Sequence, residues 1–267
     1  MPTRQGRISQ FLRYLWDGFW TAWAFLTVVR PPVPFRWNPD GAPVFFGVVG
    51  LLRGVLLWGW AGIVIAVVPG RPWVWALTVT VGEVLLTGAL HLDGWADSWD
   101  ALWGHRTRDE VLRILKDVHL GVWGGTALTL DLLARVVLTA TLPEDWFQTA
   151  WLLAPMAGTL AMLGPMVGLR DVRGPEGLAY AFSRRRASAW VGIGVNLLAY
   201  GASAGVQDSG FPFVLPLAAV GGVAAAWTGY LAWRLGGYTG DTLGAAHEWG
   251  LLVWLWAVHA MGRAVHP

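Results

Sequence analysis

Long apolar runs broken by short polar stretches dominate the chain. They fall at 44–68, 72–90, 121–142, 146–168, 187–206 and 213–233, with a further run at 243–262. Each is close to the ~20 residues that carry a helix across a hydrocarbon core. The pattern predicts an all-α, polytopic integral membrane protein with six to seven transmembrane helices. Ahead of them, residues 8–29 are apolar but interrupted by Arg13 and Asp17, and Arg30-Pro31-Pro32-Val33-Pro34 follows. Proline cannot continue a helix, so the segment ends there. It reads as an amphipathic helix lying on the membrane, or a re-entrant one. No small-residue cleavage site follows it, so no cleavable leader is expected. Internal repeats are absent, and a single membrane domain over 1–267 is the simplest organisation.

Composition agrees. The 267 residues are 55% hydrophobic and 13% charged, where a soluble domain carries about 25% charged residues. A net charge of +2 argues for no nucleic-acid partner, and the absence of cysteine excludes disulfide and thiol chemistry. Basic residues alternate from loop to loop. Arg4, Arg7, Arg13, Arg30 and Arg36 precede the first run, and Arg106, Arg108, Arg113 and Lys116 follow the second. Arg170, Arg173, Arg184, Arg185 and Arg186 follow the fourth, and Arg234 the sixth. Basic loops stay inside, which places the N-terminus and these loops in the cytoplasm. Several of the 20 tryptophans, among them Trp16, Trp20, Trp73, Trp146, Trp151 and Trp233, fall near the expected membrane interfaces. Anchoring and packing account for most of them.

The segment Leu90-His91-Leu92-Asp93-Gly94-Trp95-Ala96-Asp97-Ser98-Trp99-Asp100 places aspartates at i, i+4 and i+7. On a helix these share an arc of about 60°, with Trp95, Trp99 and Trp103 on the opposite side. Stacked carboxylates repel unless a cation lies between them. Oxygen ligands without sulfur favour Mg²⁺ or Mn²⁺, and magnesium is usually shared with substrate phosphates. The cluster reads as a metal–diphosphate site at the membrane edge, or else as a solvated acidic face. His91 is either a general base or an interfacial histidine.

A second unusual segment is Arg234-Leu235-Gly236-Gly237-Tyr238-Thr239-Gly240-Asp241-Thr242-Leu243-Gly244. Glycines let a backbone approach phosphate closely, and a helix N-terminus attracts it. Asp241 or Thr242 would cap the helix that follows, or Asp241 would add a metal ligand. Glu248 lies inside the last run, where a carboxylate is either functional or paired, with Arg234 as the candidate partner. Arg53, Glu83, Asp131 and Arg135 also fall inside runs. Asp131 and Arg135 can pair at i, i+4, and Arg53 with Glu83 between helices, unless the four line a polar substrate cavity. Glu83, two turns before Asp93, is the one expected to reach the site. The basic stretch 106–117 suits a phosphorylated substrate or anionic lipid headgroups.

The order of these segments resembles the cobalamin synthase (adenosylcobinamide-GDP ribazoletransferase) family. Thr87-Gly88-Ala89-Leu90-His91-Leu92-Asp93-Gly94-Trp95-Ala96-Asp97 resembles its TGGxHLDGxAD pattern, and Lys116-Asp117 with Leu120-Gly121 its KDSRxGxxG stretch. Glu176-Gly177-Leu178 matches an EGL segment, and Gly236 to Ala245 a GGxTGDTLGA loop, with Glu248 after it. Val118-His119 stand where Ser-Arg is usual, Ala101 replaces a glycine, Ala157 an arginine and Leu251 a second glutamate. The resemblance implies a Mg²⁺-dependent transfer of adenosylcobinamide phosphate from adenosylcobinamide-GDP to α-ribazole or its 5′-phosphate, in a bacterial or archaeal membrane. It implies Asp93, Asp97, Asp100 and Asp241 as metal ligands. Phosphate would be cradled around Gly237 and Gly240, within the loop that includes Thr239 and Thr242. Arg113 and Lys116, beside Asp117, would steady the GDP, and Glu83, His91 or Glu248 would handle the hydroxyl proton. A homo-oligomer is compatible with all of this.

Two other classes compete. A CDP-alcohol phosphotransferase also uses membrane-edge aspartates, but Asp93-Gly94 is followed by Trp-Ala-Asp, without that family's arginine. A transporter would show repeated halves with broken helices.

Overall fold

The computed structural model describes residues 4–206 and 213–265 and, among them, is all-helical. The helices are α1 (Arg4–Leu26), α2 (Phe46–Val67), α3 (Pro72–Thr87), α4 (Leu90–Leu102), α5 (Arg108–Ile114) and α6 (Val122–Ala140). After them come α7 (Glu144–Gly168), α8 (Leu178–Ser183), α9 (Arg186–Val206), α10 (Val214–Leu235) and α11 (Gly240–Val265). Each of the seven apolar runs coincides with one of α2, α3, α6, α7, α9, α10 and α11. Among the described residues, four helices are by length and composition apolar enough to cross a membrane alone: α2, α6, α7 and α10. The bent pair α3 and α4 would make a fifth. This is a polytopic membrane protein. In α1, Ile8, Phe11, Leu12 and Trp16 form an exposed apolar stripe while Asp17, Thr21 and Ala22 are buried, the pattern of an amphipathic interfacial helix.

The core forms around α7, which packs on α2, α9, α10 and α11. Lipid offers no hydrophobic drive between helices, so close packing of small residues must supply the contact. A Cβ added at Gly54 of α2 would fall directly on the Leu152 carbonyl of α7, and one at Gly250 of α11 would lie 2.6 Å from the Ala157 carbonyl. Two of the tryptophans expected at interfaces, Trp146 and Trp151, are instead fully buried on α7. The Trp151 indole N–H donates to Thr139 Oγ1 at 3.1 Å, which meets its one polar need inside the bundle.

Between α3 and α4 the chain turns by 91°. Gly88 and Ala89 both take left-handed backbone, φ 60° and 59°, and together they stop one helix and redirect the next. The turn is held by Val28 N–H donating to Leu86 O at 2.9 Å. As a result α4 leaves the line of the α3 span and packs against the first turns of α11 and α6.

Candidate active site

Helix α4 shows the two faces its spacing predicts. Trp95, Trp99 and Trp103 pack among Trp123, Trp227 and Trp249, and the Trp95 N–H donates to Ala127 O at 3.1 Å. On the other side, Asp93 is exposed and Asp97 half-buried. Both line a cleft of about 420 Å³ with Leu115, Lys116, Asp117, Val118 and Arg173. Close approach of α4 and α11 brings Asp241 to the same place: a Cβ on Gly94 would meet the Asp241 carbonyl at 2.6 Å. Burial, with Asp241 and Asp93 adding their charge, raises the Asp97 carboxyl to about 7, against the pull of Arg173. Three carboxylates from two helices therefore crowd one rim.

Asp100 is placed apart from them. Its two oxygens accept the backbone N–H groups of Gly121 and Gly124 at 2.7 and 2.9 Å, so it caps the start of α6. Four free amides open every helix, and a carboxylate satisfies them well. A Cβ at Gly121 or Gly124 would collide with this carboxylate.

The glycine loop also differs from its expected use. The cap of α11 is Thr239 rather than Asp241 or Thr242. Thr239 Oγ1 accepts from Thr242 N at 3.3 Å, and Thr242 Oγ1 from Thr239 N at 2.8 Å, a reciprocal capping pair. Gly237 is needed because the Arg170 carbonyl packs against its Cα, and Tyr238 exchanges backbone hydrogen bonds with Arg170 and Val172 at 3.0 and 2.9 Å. Thr239 and Thr242 are buried as this capping pair, whereas Gly240 stays exposed at the helix start. Asp241 instead pairs with a cleft residue: its Oδ2 accepts from Arg173 at 2.6 Å and from Thr239 Oγ1 at 3.2 Å.

Arg173 is the cleft residue that spacing did not single out. It also donates to Leu115 O, so it ties the α7–α8 loop to α5 and to Asp241. The Asp171 carboxylate holds its turn by accepting from Arg173 N and Gly174 N at 2.9 Å. The sequence signal was an Asp-x-Arg-Gly-Pro turn inside a loop otherwise read for charge alone. Lys116 and Asp117 line the cleft, and Asp117 accepts from His119; Arg113 is exposed at the end of α5 and is not among the lining residues. Glu176-Gly177-Leu178 has a described backbone, but the side chains of Glu176 and Leu178 lie outside the described residues.

Below the cleft the in-span charges form one buried network. Arg53 pairs with Glu83, and Arg135 with both Asp131 and Glu248, so Glu248 has Arg135 rather than Arg234 as partner. Of the expected proton handlers, Glu83 and Glu248 are engaged here and do not line the cleft. His247, adjacent to Glu248 in the chain, was missed. Arg53 reaches its Nε2 at 3.4 Å, and its Nδ1 lies 3.2 Å from Glu248 Oε1. A guanidinium has only donors, so Nε2 is the acceptor and Nδ1–H donates to Glu248. His91 lies face to face on His247, centroids 3.7 Å apart and planes 6° from parallel. His91, His247 and Glu248 approach closely enough to suggest a metal, within 4.8 Å. Parallel stacked imidazoles, however, direct their in-plane lone pairs side by side and cannot converge on one ion.

A model of the cobalamin-5-phosphate synthase family matches residues 18–259. The chain belongs to that family. Three relatives from Pseudomonas putida strains, each named adenosylcobinamide-GDP ribazoletransferase, are 37% or 38% identical over 238 or 239 residues. The matched region covers 86% of this chain and 93% of each relative. No solved structure matches it. Within the family frame, the aspartates of α4 and the loop before α11, far apart in the chain, are the parts the fold joins at one cleft.

Proposed function

We propose that this chain transfers the adenosylcobinamide-phosphate moiety of adenosylcobinamide-GDP to α-ribazole or its 5′-phosphate, releasing GMP. The observation that carries the reading is Asp93 and Asp97 on a cleft that also holds Arg173 and Lys116, with Asp241 paired to that Arg173 and close enough to act on Asp97. In the reaction, the alcohol oxygen attacks the phosphorus bonded to the cobinamide arm. The bond from that phosphorus to GMP breaks, GMP leaves and the hydroxyl gives up its proton. The chain must hold a diphosphate and align an alcohol with it.

The donor set fits Mg²⁺: it is all carboxylate, and burial with like charges already raises Asp97 to about 7. Asp93, Asp97 and Asp241 would hold the ion, while Asp100 supports α6. Bound there, it would supply charge neutralisation to the diphosphate. Lys116 and Arg173 lie where they can bind phosphate oxygens. Arg173 also keeps Asp241 turned to the cleft. His91 is the one expected proton handler that lines a cavity continuous with Asp93.

The cleft is proposed to face the cytoplasm, in a bacterial or archaeal membrane. Its loops carry the basic residues, and they meet at one end of the bundle: Arg173 reaches Leu115 and Asp241, and Arg108 Nε donates to Leu235 O at 2.8 Å. To test the substrate assignment, lipid-reconstituted protein is offered adenosylcobinamide-GDP with each form of α-ribazole. Cobalamin or its 5′-phosphate is expected. Exclusive turnover of a CDP-alcohol pair would transfer the chain to the rival chemistry.

A further inference from the structure

Beneath Asp93 lies a second, smaller cavity of about 80 Å³, bordered by Phe25, Leu90, His91, Asp93, Asp241 and Leu243. Asp93 also borders the large cleft, so the two spaces have this residue in common. Their chemistry differs. The cleft carries Lys116 and Arg173. The cavity is bordered by two carboxylates and apolar side chains, with no arginine or lysine among its lining residues. Its lining offers a phosphate no cationic side chain. A neutral hydroxyl needs none, and the volume suits a small hydroxyl-bearing fragment, since a water occupies about 30 Å³.

His91 is 3% exposed, and neither ring nitrogen has a hydrogen-bond partner among the described residues. Leaving a buried polar atom unpaired is costly, and such atoms call for a ligand or water. An imidazole in its neutral form offers one N–H and one lone pair, which match the two capacities of an alcohol. The ring is held from behind. His247 stacks on it at 3.7 Å, and His247 is fixed at both nitrogens by Arg53 and Glu248. Those anchors are themselves paired, with Glu83 and Arg135. Gly158 leaves the space for His247: a Cβ there would lie 2.5 Å from Nε2.

We infer that the small cavity receives the hydroxyl of the acceptor alcohol, and that His247 is a positioning residue that holds His91 to hydrogen-bond it. The inference rests on the transferase reading and adds which substrate enters where. The diphosphate lies on the cleft side of Asp93 and the nucleophile on the His91 side.

The test uses full-length protein in lipid, with KM measured separately for α-ribazole and for adenosylcobinamide-GDP. His91→Ala, His247→Gln and Gly158→Ala are compared at equal amounts of monodisperse protein. Each should raise KM for α-ribazole by about tenfold, the scale of one lost hydrogen bond. KM for the nucleotide substrate should stay within about twofold, a split that a general loss of folded protein would not produce. Gly158→Ala keeps every polar group and displaces only the His247 ring, so it decides the matter if His247→Gln folds poorly. An unchanged KM for α-ribazole in Gly158→Ala and His247→Gln, or an equal rise in both constants, overturns the inference while the transferase reading stands. Absence of any α-ribazole-dependent GMP release by the unsubstituted protein would instead remove the reading beneath it.

Discussion

Each aspartate of α4 has a different task, set by what surrounds it. Asp93 and Asp97 face the cleft, whereas Asp100 is held by two amides of α6. Asp93→Asn should therefore lower turnover by about a hundredfold or more, the scale of losing charge stabilisation at a reacting phosphate. Membrane insertion and thermal stability should be unaffected. Asp100→Asn should show the reverse balance: a stability loss of about 1 kcal/mol, as for other helix caps, with the smaller effect on turnover. Thermal unfolding and initial rates on the same preparations check both. Asp97 adds a pH dependence. Its carboxyl is raised to about 7, so below that pH a cation must displace a proton to bind. Mg²⁺ affinity should rise up to about tenfold per pH unit below 7 and level off above it. In Asp97→Asn that slope should become shallower, with the remainder due to Asp241, whose carboxyl burial also raises. A flat affinity in the unsubstituted protein would remove Asp97 from the ligand set.

At the scale of elements, the site depends on two helices being allowed to touch. Gly94 against the Asp241 carbonyl, and Gly244 against the His91 backbone, set the separation of α4 and α11. A methyl group at Gly94 would lie 2.6 Å from that carbonyl and would push the two carboxylate-bearing helices apart. Gly94→Ala should cost about 1–3 kcal/mol from overpacking and should weaken Mg²⁺ binding, both readable by thermal unfolding with and without the ion. The aspartate spacing on α4 was legible because a helix converts i, i+4 into one face. The Arg53–Glu83 and Asp131–Arg135 pairs were legible because charges in a span must be matched. What was not legible came from contacts between elements. The cap on α6 comes from Asp100, which precedes it by 21 residues at Gly121, and the partner of Glu248 comes from another helix. His247 carried no separate signal, since one histidine beside a glutamate in an apolar run reads as packing. Thr239 capping α11 was within reach, because Thr239 and Thr242 bracket the first turn as a capping box would.

Across the whole molecule, the apolar runs predicted the helices within a few residues, and the family resemblance agreed with the comparisons. The 91° turn after α3 was the feature that run length alone could not give, because Gly88-Ala89 reads as helix until its backbone is seen. That turn sets α4 against the start of α11, so that Asp93 and Asp97 lie near Asp241, beside loops from α5 and from between α7 and α8. The buried network joins the small cavity through the stacked His91 and His247 rings. The most direct test of the central claim follows GMP release from adenosylcobinamide-GDP by purified, lipid-reconstituted protein, with α-ribazole and Mg²⁺ each present or omitted. The account predicts release only when both are present, matched by cobalamin formation. Equal release without α-ribazole, or none from folded protein supplied with either nucleoside form, would contradict it.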